Sequence, residues 1–247
     1  MADQTRTGCA LVTGASGGMG TAICRALIAD GRRVILADRE AEPVQALAAV
    51  LGAAAHALVL DITDATAVAD LPASVPEAFG PIDVLINNAG HDIGGRTRFD
   101  IGAMEDWAGI LETNLIGTLR VTRAILPDMV ARDRGDIVMM SSINALRIIP
   151  DMAAYSTSKS ALHAFTETLR GELAETGIRV TEINPGLTKT GIIRRRYRGD
   201  VAKEKAYFDQ FKLALEPEDI ARSVMFALSQ PDHVQVAQMV ILPINRW

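Results

Sequence analysis

The sequence has only two cysteines, Cys9 and Cys24, which is too few for a disulfide scaffold or a cysteine-based metal site. Both lie in apolar segments, so we expect two small buried side chains in a reducing cytoplasm, and no bound metal. No apolar run approaches the ~20 residues that a membrane-spanning helix needs. The first residues, MADQTRTG, are polar, so we expect no signal peptide and a frayed tail over residues 1–7.

Positive charge is not in excess either, because 25 Lys and Arg residues face 30 Asp and Glu residues and the formal net charge is −5. Nucleic acid or an anionic membrane would favour a basic surface, so neither is expected as a partner. The chain also lacks a linker rich in Pro, Gly and Ser, an internal repeat and a low-complexity segment. Its 247 residues, 49% of them hydrophobic, therefore predict one globular domain over 1–247 with a large core.

Short aliphatic runs alternate with longer amphipathic stretches along the whole chain. The runs, which are typical of strands buried on both faces of a sheet, are CALVT, RVILA, HALVL, IDVLIN, GDIVMMSS, IRVTEIN and QMVILPI. The stretches predict helices over 18–30, 42–52, 64–79, 101–132, 153–176 and near 200–229. This order predicts an α/β protein with a doubly wound parallel sheet of about seven strands flanked by helices.

The one long irregular region of the sequence, GLTKTGIIRRRYRGD at about 186–200, follows the sixth predicted strand. Long loops in compact domains are more often functional than idle. We therefore expect a substrate-binding insertion, made of a loop and a helix, over about 186–212.

A glycine-rich turn, TGASGGMG at residues 13–20, connects the first predicted strand to the first predicted helix. Glycines let the backbone approach a pyrophosphate closely, and a helix N-terminus offers free N–H groups and the positive end of the helix dipole. In this context the turn predicts a dinucleotide site; the alternative is a turn with only a packing role. The predicted cofactor residues of the turn are Gly14, Ser16, Gly17, Gly18, Met19 and Gly20.

The second predicted strand ends at Asp38, and Arg39 follows directly. An acidic residue here suits the hydroxyl groups of the adenosine ribose and repels a 2′-phosphate, which favours NAD over NADP. The guanidinium of Arg39 opposes this choice, because it could accept a 2′-phosphate or stack on adenine. The alternative for Arg39 is an exposed surface charge. We predict NAD, with Asp38 and Arg39 both at the cofactor.

The segment YSTSK places Tyr155 and Lys159 four residues apart, on one face of a helix. Their unperturbed pKa values are ~10 and ~10.4, so neither is a good base at neutral pH alone. A nearby cation favours the ionised form of a phenol, so Lys159 is expected to lower the pKa of Tyr155. Taken alone, such a pair is more often an ordinary helix face.

With these motifs the sequence resembles the short-chain dehydrogenase/reductase family from about Gly8 to its C-terminus. The motifs occur in the family's order and on the predicted elements. They are the turn at 13–20, Asn87-Asn88-Ala89-Gly90, Asn114, Ser142, Tyr155 with Lys159, Pro185-Gly186 and Thr190. The resemblance implies a Rossmann-type fold, a nicotinamide cofactor, hydride exchange between an alcohol and a carbonyl, and a homotetramer.

The resemblance also implies roles for individual residues. The implied catalytic residues are Asn114, Ser142, Tyr155 and Lys159. The residues implied to flank the adenine are Asp61 and Ile62, and those implied at the nicotinamide ribose are Asn88, Ala89, Gly90, Tyr155 and Lys159. The residues implied at the carboxamide and phosphate side are Pro185, Gly186, Thr188 and Thr190.

In the implied chemistry, Tyr155 takes the proton of an alcohol while the nicotinamide takes the hydride. Lys159 makes the phenol a usable acid and base and grips the ribose. The hydroxyl of Ser142 holds the substrate oxygen near the phenol, and Asn114 holds a water in a proton relay toward the lysine.

Arginines occur in all three regions expected around the reacting carbon, which follow Gly90, Ser142 and Gly186. Because arginine pairs well with carboxylate, phosphate or sulfonate, we hypothesise a substrate with an anionic group; the alternative is solvated or inter-subunit charges. The predicted substrate residues are His91, Arg147, Ile149 and Arg195.

The sequence therefore predicts a cytoplasmic NAD(P)-dependent oxidoreductase that transfers hydride between a secondary alcohol or hydroxy acid and the nicotinamide. One alternative is an NADPH-dependent carbonyl reductase. Another is a non-catalytic dinucleotide-sensing or regulatory protein on the same fold, although a sensor has no use for a tuned phenol. A lyase or dehalogenase without a dinucleotide is disfavoured by the glycine turn and Asp38.

Overall fold

The computed structural model describes residues 8–244, so the tail predicted over 1–7 lies outside the described residues. The strands of the described part are β1 (Cys9–Thr13), β2 (Arg33–Asp38), β3 (Ala55–Val59), β4 (Ile82–Asn87), β5 (Gly135–Met140), β6 (Ile178–Pro185) and β7 (Gln238–Ile241). They pair in parallel in one sheet with the order β3-β2-β1-β4-β5-β6-β7. The doubly wound parallel sheet predicted from the sequence is confirmed.

Helices connect these strands and cover both faces of the sheet. The α-helices of the described part are α1 (Gly18–Ala29), α2 (Ala41–Leu51), α3 (Ala65–Ala69), α4 (Met104–Leu111), α5 (Thr118–Ala131), α6 (Ala153–Glu172), α7 (Ile192–Arg196), α8 (Val201–Phe208) and α9 (Pro217–Leu228). A π-helical turn, Glu112–Gly117, joins α4 to α5 without a break. None of the helices within residues 8–244 is long and apolar enough to cross a membrane.

The helix predicted over 64–79 is wrong, because α3 has only five residues. Two 3₁₀ turns follow it, Leu71–Ser74 and Glu77–Phe79. Pro72 and Pro76 explain the interruption. A proline has no backbone N–H and disfavours the helical conformation of the residue before it.

Two apolar layers form the core, one on each face of the sheet. Along β1, Leu11 packs in the layer that contains α5 and α6, and Val12 packs in the layer that contains α1 and α9. The strands in the centre of the sheet are therefore buried on both faces, as predicted. The edge strands β3 and β7 differ from the prediction: they are partly exposed, because each has a neighbour on one side only.

The order in which successive strands are added to the sheet reverses at β1. The chain proceeds outward from β1 to β3 and then returns to β4 on the other side of β1. In such sheets, ligands bind in the crevice at the carboxyl ends of the strands, at this switch point. The glycine turn follows β1 and the segment Asn88-Ala89-Gly90 follows β4, so the fold brings both sequence motifs to that crevice.

Gly20 of α1 packs so closely on the glycine turn that no side chain fits. A Cβ at this position would clash with the carbonyl oxygen of Gly14 and lie 2.9 Å from Cα of Ala15, both of them backbone atoms. We expect Gly20→Ala to lower the free energy of unfolding, measured in urea, by ~1–3 kcal/mol, the usual cost of overpacking.

Gly171, near the end of α6, offers a matched control because a Cβ there meets nothing within 4 Å. Gly171→Ala should raise the free energy of unfolding by ~0.5–1 kcal/mol, since alanine has less backbone freedom to lose on folding. Equal effects of the two substitutions would contradict the packing explanation.

Candidate active site

Two adjoining cavities lie at the carboxyl ends of the strands. The first, of about 260 Å³, is lined by the glycine turn, the end of β2 and the segment after β4. The second, of about 540 Å³, is lined by Ser142, Tyr155 and the region of α7 and α8. Met19, Thr190 and Ile192 line both cavities, so a long ligand can extend from one into the other.

The first cavity has the construction of a dinucleotide site. Gly14 has a left-handed φ of +64°, and a Cβ there would lie 2.9 Å from the backbone of Ala89. Gly17 at the N-cap of α1 brings no side chain, so a negative group can reach the first N–H groups of this helix. The side chain of Asn88 holds the turn in place by donating to the carbonyl oxygens of Thr13 at 2.9 Å and Gly14 at 3.0 Å.

Most residues predicted to bind the cofactor line this first cavity. They are Gly14, Ser16, Gly17, Gly18, Met19, Gly20, Asp38, Arg39, Asp61, Ile62, Asn88, Ala89, Gly90 and Thr190. Pro185, Gly186 and Thr188 instead line the second cavity, together with Tyr155. Their roles at the carboxamide end of the cofactor stay predictions.

Asp38 is buried at the end of β2, with 8% of its surface exposed. Its Oδ2 accepts hydrogen bonds from the backbone N–H of Ser16 at 3.0 Å and from the Ser16 hydroxyl at 2.6 Å. Its Oδ1 accepts the backbone N–H of Glu40 at 3.3 Å. The neighbouring Arg39 lies 3.4 Å from the Glu40 carboxylate and is about half exposed. The glycine turn and the carboxylate of Asp38 therefore fix each other's position.

Helix α6 places Tyr155 and Lys159 one turn apart. Nζ of Lys159 lies 5.9 Å from the centre of the Tyr155 ring and donates to the carbonyl oxygen of Met140 at 2.8 Å. Ser142, just after β5, acts to lower the pKa of the phenol, and its hydroxyl oxygen accepts the N–H of Asn144 at 3.1 Å. Residues from α6 and from the end of β5 thus bring two hydroxyl groups to the second cavity.

Burial governs the ionisation of this site. It raises the pKa of Tyr155 to about 12, and the charge of Asp92 adds to the effect. It lowers the pKa of Lys159 to about 8, although the charge of Glu182 acts in the opposite direction. The structure therefore corrects the expectation that Lys159 lowers the pKa of the phenol. Desolvation of the partly buried phenol is the largest cause of the rise, and Nζ of Lys159 is turned to the carbonyl oxygen of Met140.

Asn114 is fully buried in the π-helical turn Glu112–Gly117. Its Nδ2 donates to the carbonyl oxygen of His91 at 2.9 Å and to the hydroxyl of Ser158 at 3.2 Å, and its Oδ1 accepts the N–H of His91 at 2.9 Å. The amide thus ties the loop after β4 to α6. Single π-turns inside α-helices are often found at functional sites. The role of Asn114 in holding a water stays a prediction.

The structure divides the predicted substrate residues between the two cavities. Arg147 and Ile149 line the second cavity with the phenol. His91 and Arg195 line the first cavity and not the second, and their contact with substrate stays a prediction. The loop turns His91 back onto the π-helical turn, with Nε2 at 3.2 Å from Oγ1 of Thr113. In the short helix α7, successive side chains point ~100° apart, so adjacent arginines face different cavities.

Sequence reasoning missed Glu182, a carboxylate of β6 that is 0% exposed. Its Oε2 lies 2.7 Å from Nδ1 of His163 and 2.8 Å from Nε2 of Gln238. The charge of Glu182 opposes the effect of burial on the pKa of Lys159, so this carboxylate serves as a counter-charge for the lysine. The available signal was a glutamate within IRVTEIN, a run expected to be buried on both faces.

The lowered pKa of Lys159 gives a stability prediction of defined sign. Its folded value is about 8 against an ordinary 10.5, so between these values the unfolded chain holds a proton that the folded protein lacks. The free energy of unfolding therefore rises with pH in this window, and the cost of burying the charge, on the order of 3 kcal/mol, is fully present below it. Lys159→Met removes this dependence. The free energy of unfolding of the variant should therefore exceed that of the unmodified protein by the largest amount below about pH 8. This difference should shrink as the pH rises toward ~10.5.

Urea titrations at several pH values between about 7 and 10 measure this difference. Loss of the hydrogen bond to Met140 lowers the free energy of unfolding of the variant by an amount that does not depend on pH. The test therefore uses the change of the difference with pH and not its absolute size. A difference that stays constant across the window would contradict the lowered pKa.

Known proteins resemble this chain in sequence and in fold. The short chain dehydrogenase family matches residues 8–200. Serine 3-dehydrogenase of Agrobacterium fabrum is 34% identical over 242 residues, which cover 97% of this chain and 95% of that protein. The closed form of serine dehydrogenase complexed with NADP+ has a TM-score of 0.93 at 33% identity, covering 97% and 96% of the two chains. NAD+-bound xylitol dehydrogenase has a TM-score of 0.86 at 28% identity, covering 97% and 99%.

The family match spans the glycine turn, Asn114, Ser142 and the pair of Tyr155 and Lys159. The glycine turn, Ser142 and Tyr155 line the two cavities, whereas Asn114 and Lys159 line neither and are buried beside Gly90. The solved relatives hold a nicotinamide dinucleotide, and the first cavity of this protein has the glycine backbone that such a cofactor requires. The protein belongs to the short-chain dehydrogenase family.

Proposed function

We propose that this protein is an NAD-dependent dehydrogenase that oxidises the secondary alcohol group of a hydroxy acid. The observation that carries the proposal is the junction of a dinucleotide-type cavity with a second cavity lined by Tyr155 and Ser142. Relatives that are named dehydrogenases and hold nicotinamide dinucleotides support the reaction class. A carbonyl reductase would use the same residues with NADPH and in the opposite direction.

When bound, the oxidised nicotinamide accepts the hydride and brings a positive charge to the site. The protein's own groups manage the proton. The phenolic oxygen of Tyr155 accepts the hydroxyl proton of the alcohol, and the hydroxyl of Ser142 holds the substrate oxygen within reach of the phenol. Because burial raises the pKa of Tyr155 to about 12, positive charge is required before the phenol can act as a base near neutral pH. The charge of Arg196 acts in this direction, and the charge of the bound oxidised nicotinamide would add to it.

The arginines of the second cavity support a substrate with a carboxylate. Three arginines line this cavity, Arg96, Arg147 and Arg196. We assign the substrate carboxylate to Arg147, because it follows Ser142 by only five residues and lines the same cavity as the phenol. The relatives named serine dehydrogenases support a substrate that carries both a hydroxyl and a carboxylate, although the hydroxyl of serine is a primary alcohol.

We propose NAD as the cofactor because the buried carboxylate of Asp38 stands at the end of β2, where it disfavours a 2′-phosphate. The charge of Arg39 is partly balanced by Glu40, 3.4 Å away. Solved relatives hold NADP+ in one case and NAD+ in another, so they support a nicotinamide dinucleotide without choosing between the two.

Three further proposals accompany this function. The segment 186–212 is the substrate-binding insertion, which is supported by the lining of the second cavity by α7 and α8. The working assembly is a homotetramer, a proposal that rests on the family resemblance. The protein works in the cytoplasm, which suits its two free, buried cysteines.

The proposed function predicts the effect of Tyr155→Phe, which removes the proton acceptor and keeps the ring. We expect kcat for a hydroxy acid, followed by the absorbance of NADH, to fall ~10²–10⁴-fold, the usual contribution of general acid–base catalysis. Binding of NADH, followed by its fluorescence, should be retained. NADH binding by the unmodified protein without turnover of any alcohol would favour the non-catalytic sensor.

The same assay tests the substrate class by pairing each hydroxy acid with its methyl ester. The acid should have the lower KM, because only the acid offers a carboxylate to Arg147. Equal KM values for acid and ester, or a preference for neutral polyols, would contradict the anionic substrate.

Asp38→Ala tests the choice of cofactor. Removing the carboxylate should shift the ratio of kcat/KM for NAD to that for NADP toward NADP by ~10-fold or more, equivalent to ~1.4 kcal/mol. Glu42→Gln, which neutralises an exposed carboxylate nearby in α2, is the control and should leave the ratio largely unchanged. An unmoved ratio in Asp38→Ala would show that this carboxylate does not select the cofactor.

A further inference from the structure

Asp92 and Arg196 form an ion pair that is almost completely withdrawn from water. Their side chains are 0% and 6% exposed, and Nε and Nη2 of the arginine lie 2.7 Å and 2.6 Å from Oδ2 of the aspartate. The two residues are 104 positions apart in the sequence. Asp92 lies in the loop after β4 and Arg196 ends α7, so the pair joins two segments that are distant along the chain.

The structure around Arg196 is shaped to its side chain. Gly95 has a φ of +24°, and a Cβ there would clash with the methylene groups of the arginine. The N–H of Gly94 donates to the carbonyl oxygen of Arg196 at 3.3 Å. The guanidinium lies over the ring of Tyr207, with Cζ 4.9 Å from the ring centre. The loop after β4, α7 and α8 therefore all meet at this one side chain.

This junction forms part of the wall of the second cavity. Arg196, Tyr207 and Phe211 line that cavity together with the phenol, and the rings of Tyr207 and Phe211 pack edge to face at 5.1 Å. The pair is also close enough to act on the reacting group. After burial, the charge of Asp92 is the next cause that raises the pKa of Tyr155, and the charge of Arg196 lowers it.

Stability by itself does not account for a buried ion pair. Removing two charges from water is costly, and an apolar pair of similar size is often as stable or more so. Oδ1 of Asp92 is buried with no hydrogen-bond partner among the described residues, so the pair is not fully compensated. The charged pair instead fixes an orientation. Two N–H groups of one guanidinium contact the same carboxylate oxygen, and these directional contacts fix the rotation of α7.

We propose that Asp92 and Arg196 are a positioning pair that holds the segment 192–208 against the loop after β4 and thereby sets the fit of the alcohol substrate beside Tyr155. The kinetic consequence rests on the proposed function, whereas the structural consequence does not.

The first test compares two substitutions of aspartate by asparagine, each opposite an arginine of the same segment. Asp92→Asn weakens the buried pair, and Asp106→Asn weakens the exposed pair with Arg198, whose side chain is 64% exposed. We expect Asp92→Asn to speed tryptic cleavage within 192–208 by about tenfold, because this segment then opens more often. The surface control should change the rate little. An unchanged rate in Asp92→Asn would overturn the proposal.

The second test separates fit from stability with the double variant Asp92→Leu/Arg196→Met. Its urea midpoint should equal or exceed that of the unmodified protein, while KM for the alcohol rises by about tenfold and NADH binding is retained. A KM in the double variant equal to that of the unmodified protein would overturn the proposal, because the charges would then have no positioning role. If the unmodified protein oxidises no alcohol, the proposed function fails, and the rate of cleavage still decides the inference.

Discussion

The burial of Lys159, together with the partial burial of Tyr155 beside it, is the constraint on which the rest of the site depends. Burial pushes both groups toward their neutral forms, since it raises the pKa of the phenol and lowers that of the amine. A reaction that needs an ionised phenol must therefore be supported by charges placed around the pair. The carbonyl oxygen of Met140 and the carboxylate of Glu182 support the lysine, and His163 holds that carboxylate in turn. Helix α6 and strand β6 form one electrostatic unit for this reason.

The cofactor cavity depends on a second feature, the adjacency of β1 and β4. Because the sheet reverses its direction of building at β1, the glycine turn and the segment after β4 end at the same crevice. Hydrogen bonds complete the junction: the N–H of Asn88 donates to the hydroxyl of Thr13 at 3.0 Å, and its amide donates to the Gly14 carbonyl at 3.0 Å. The backbone that would receive a pyrophosphate is thus positioned by a strand from the other half of the sheet.

Carboxylates from two separate elements act on the ionisation of Tyr155 and Lys159. Glu182 belongs to β6 and favours the charged form of Lys159. Asp92 belongs to the loop after β4, raises the pKa of Tyr155 and forms an ion pair with Arg196. The ionisation of the phenol and the shape of the second cavity are therefore coupled, because the same buried ion pair contributes to both. This coupling gives a physical reason for keeping an ion pair that a more stable apolar contact could replace.

The sequence by itself determined the parallel sheet, the glycine turn, most residues that line the first cavity and the helical spacing of Tyr155 and Lys159, because hydrophobic period, glycine placement and helical spacing are local properties. Pro72 and Pro76 are local signals too, and they account for the break in the stretch 64–79. Only the tertiary structure decided the direction of the shift in the phenol's pKa and which cavity His91 and Arg195 line. Desolvation and side-chain direction depend on which distant elements pack around a residue, and no local pattern contains that information.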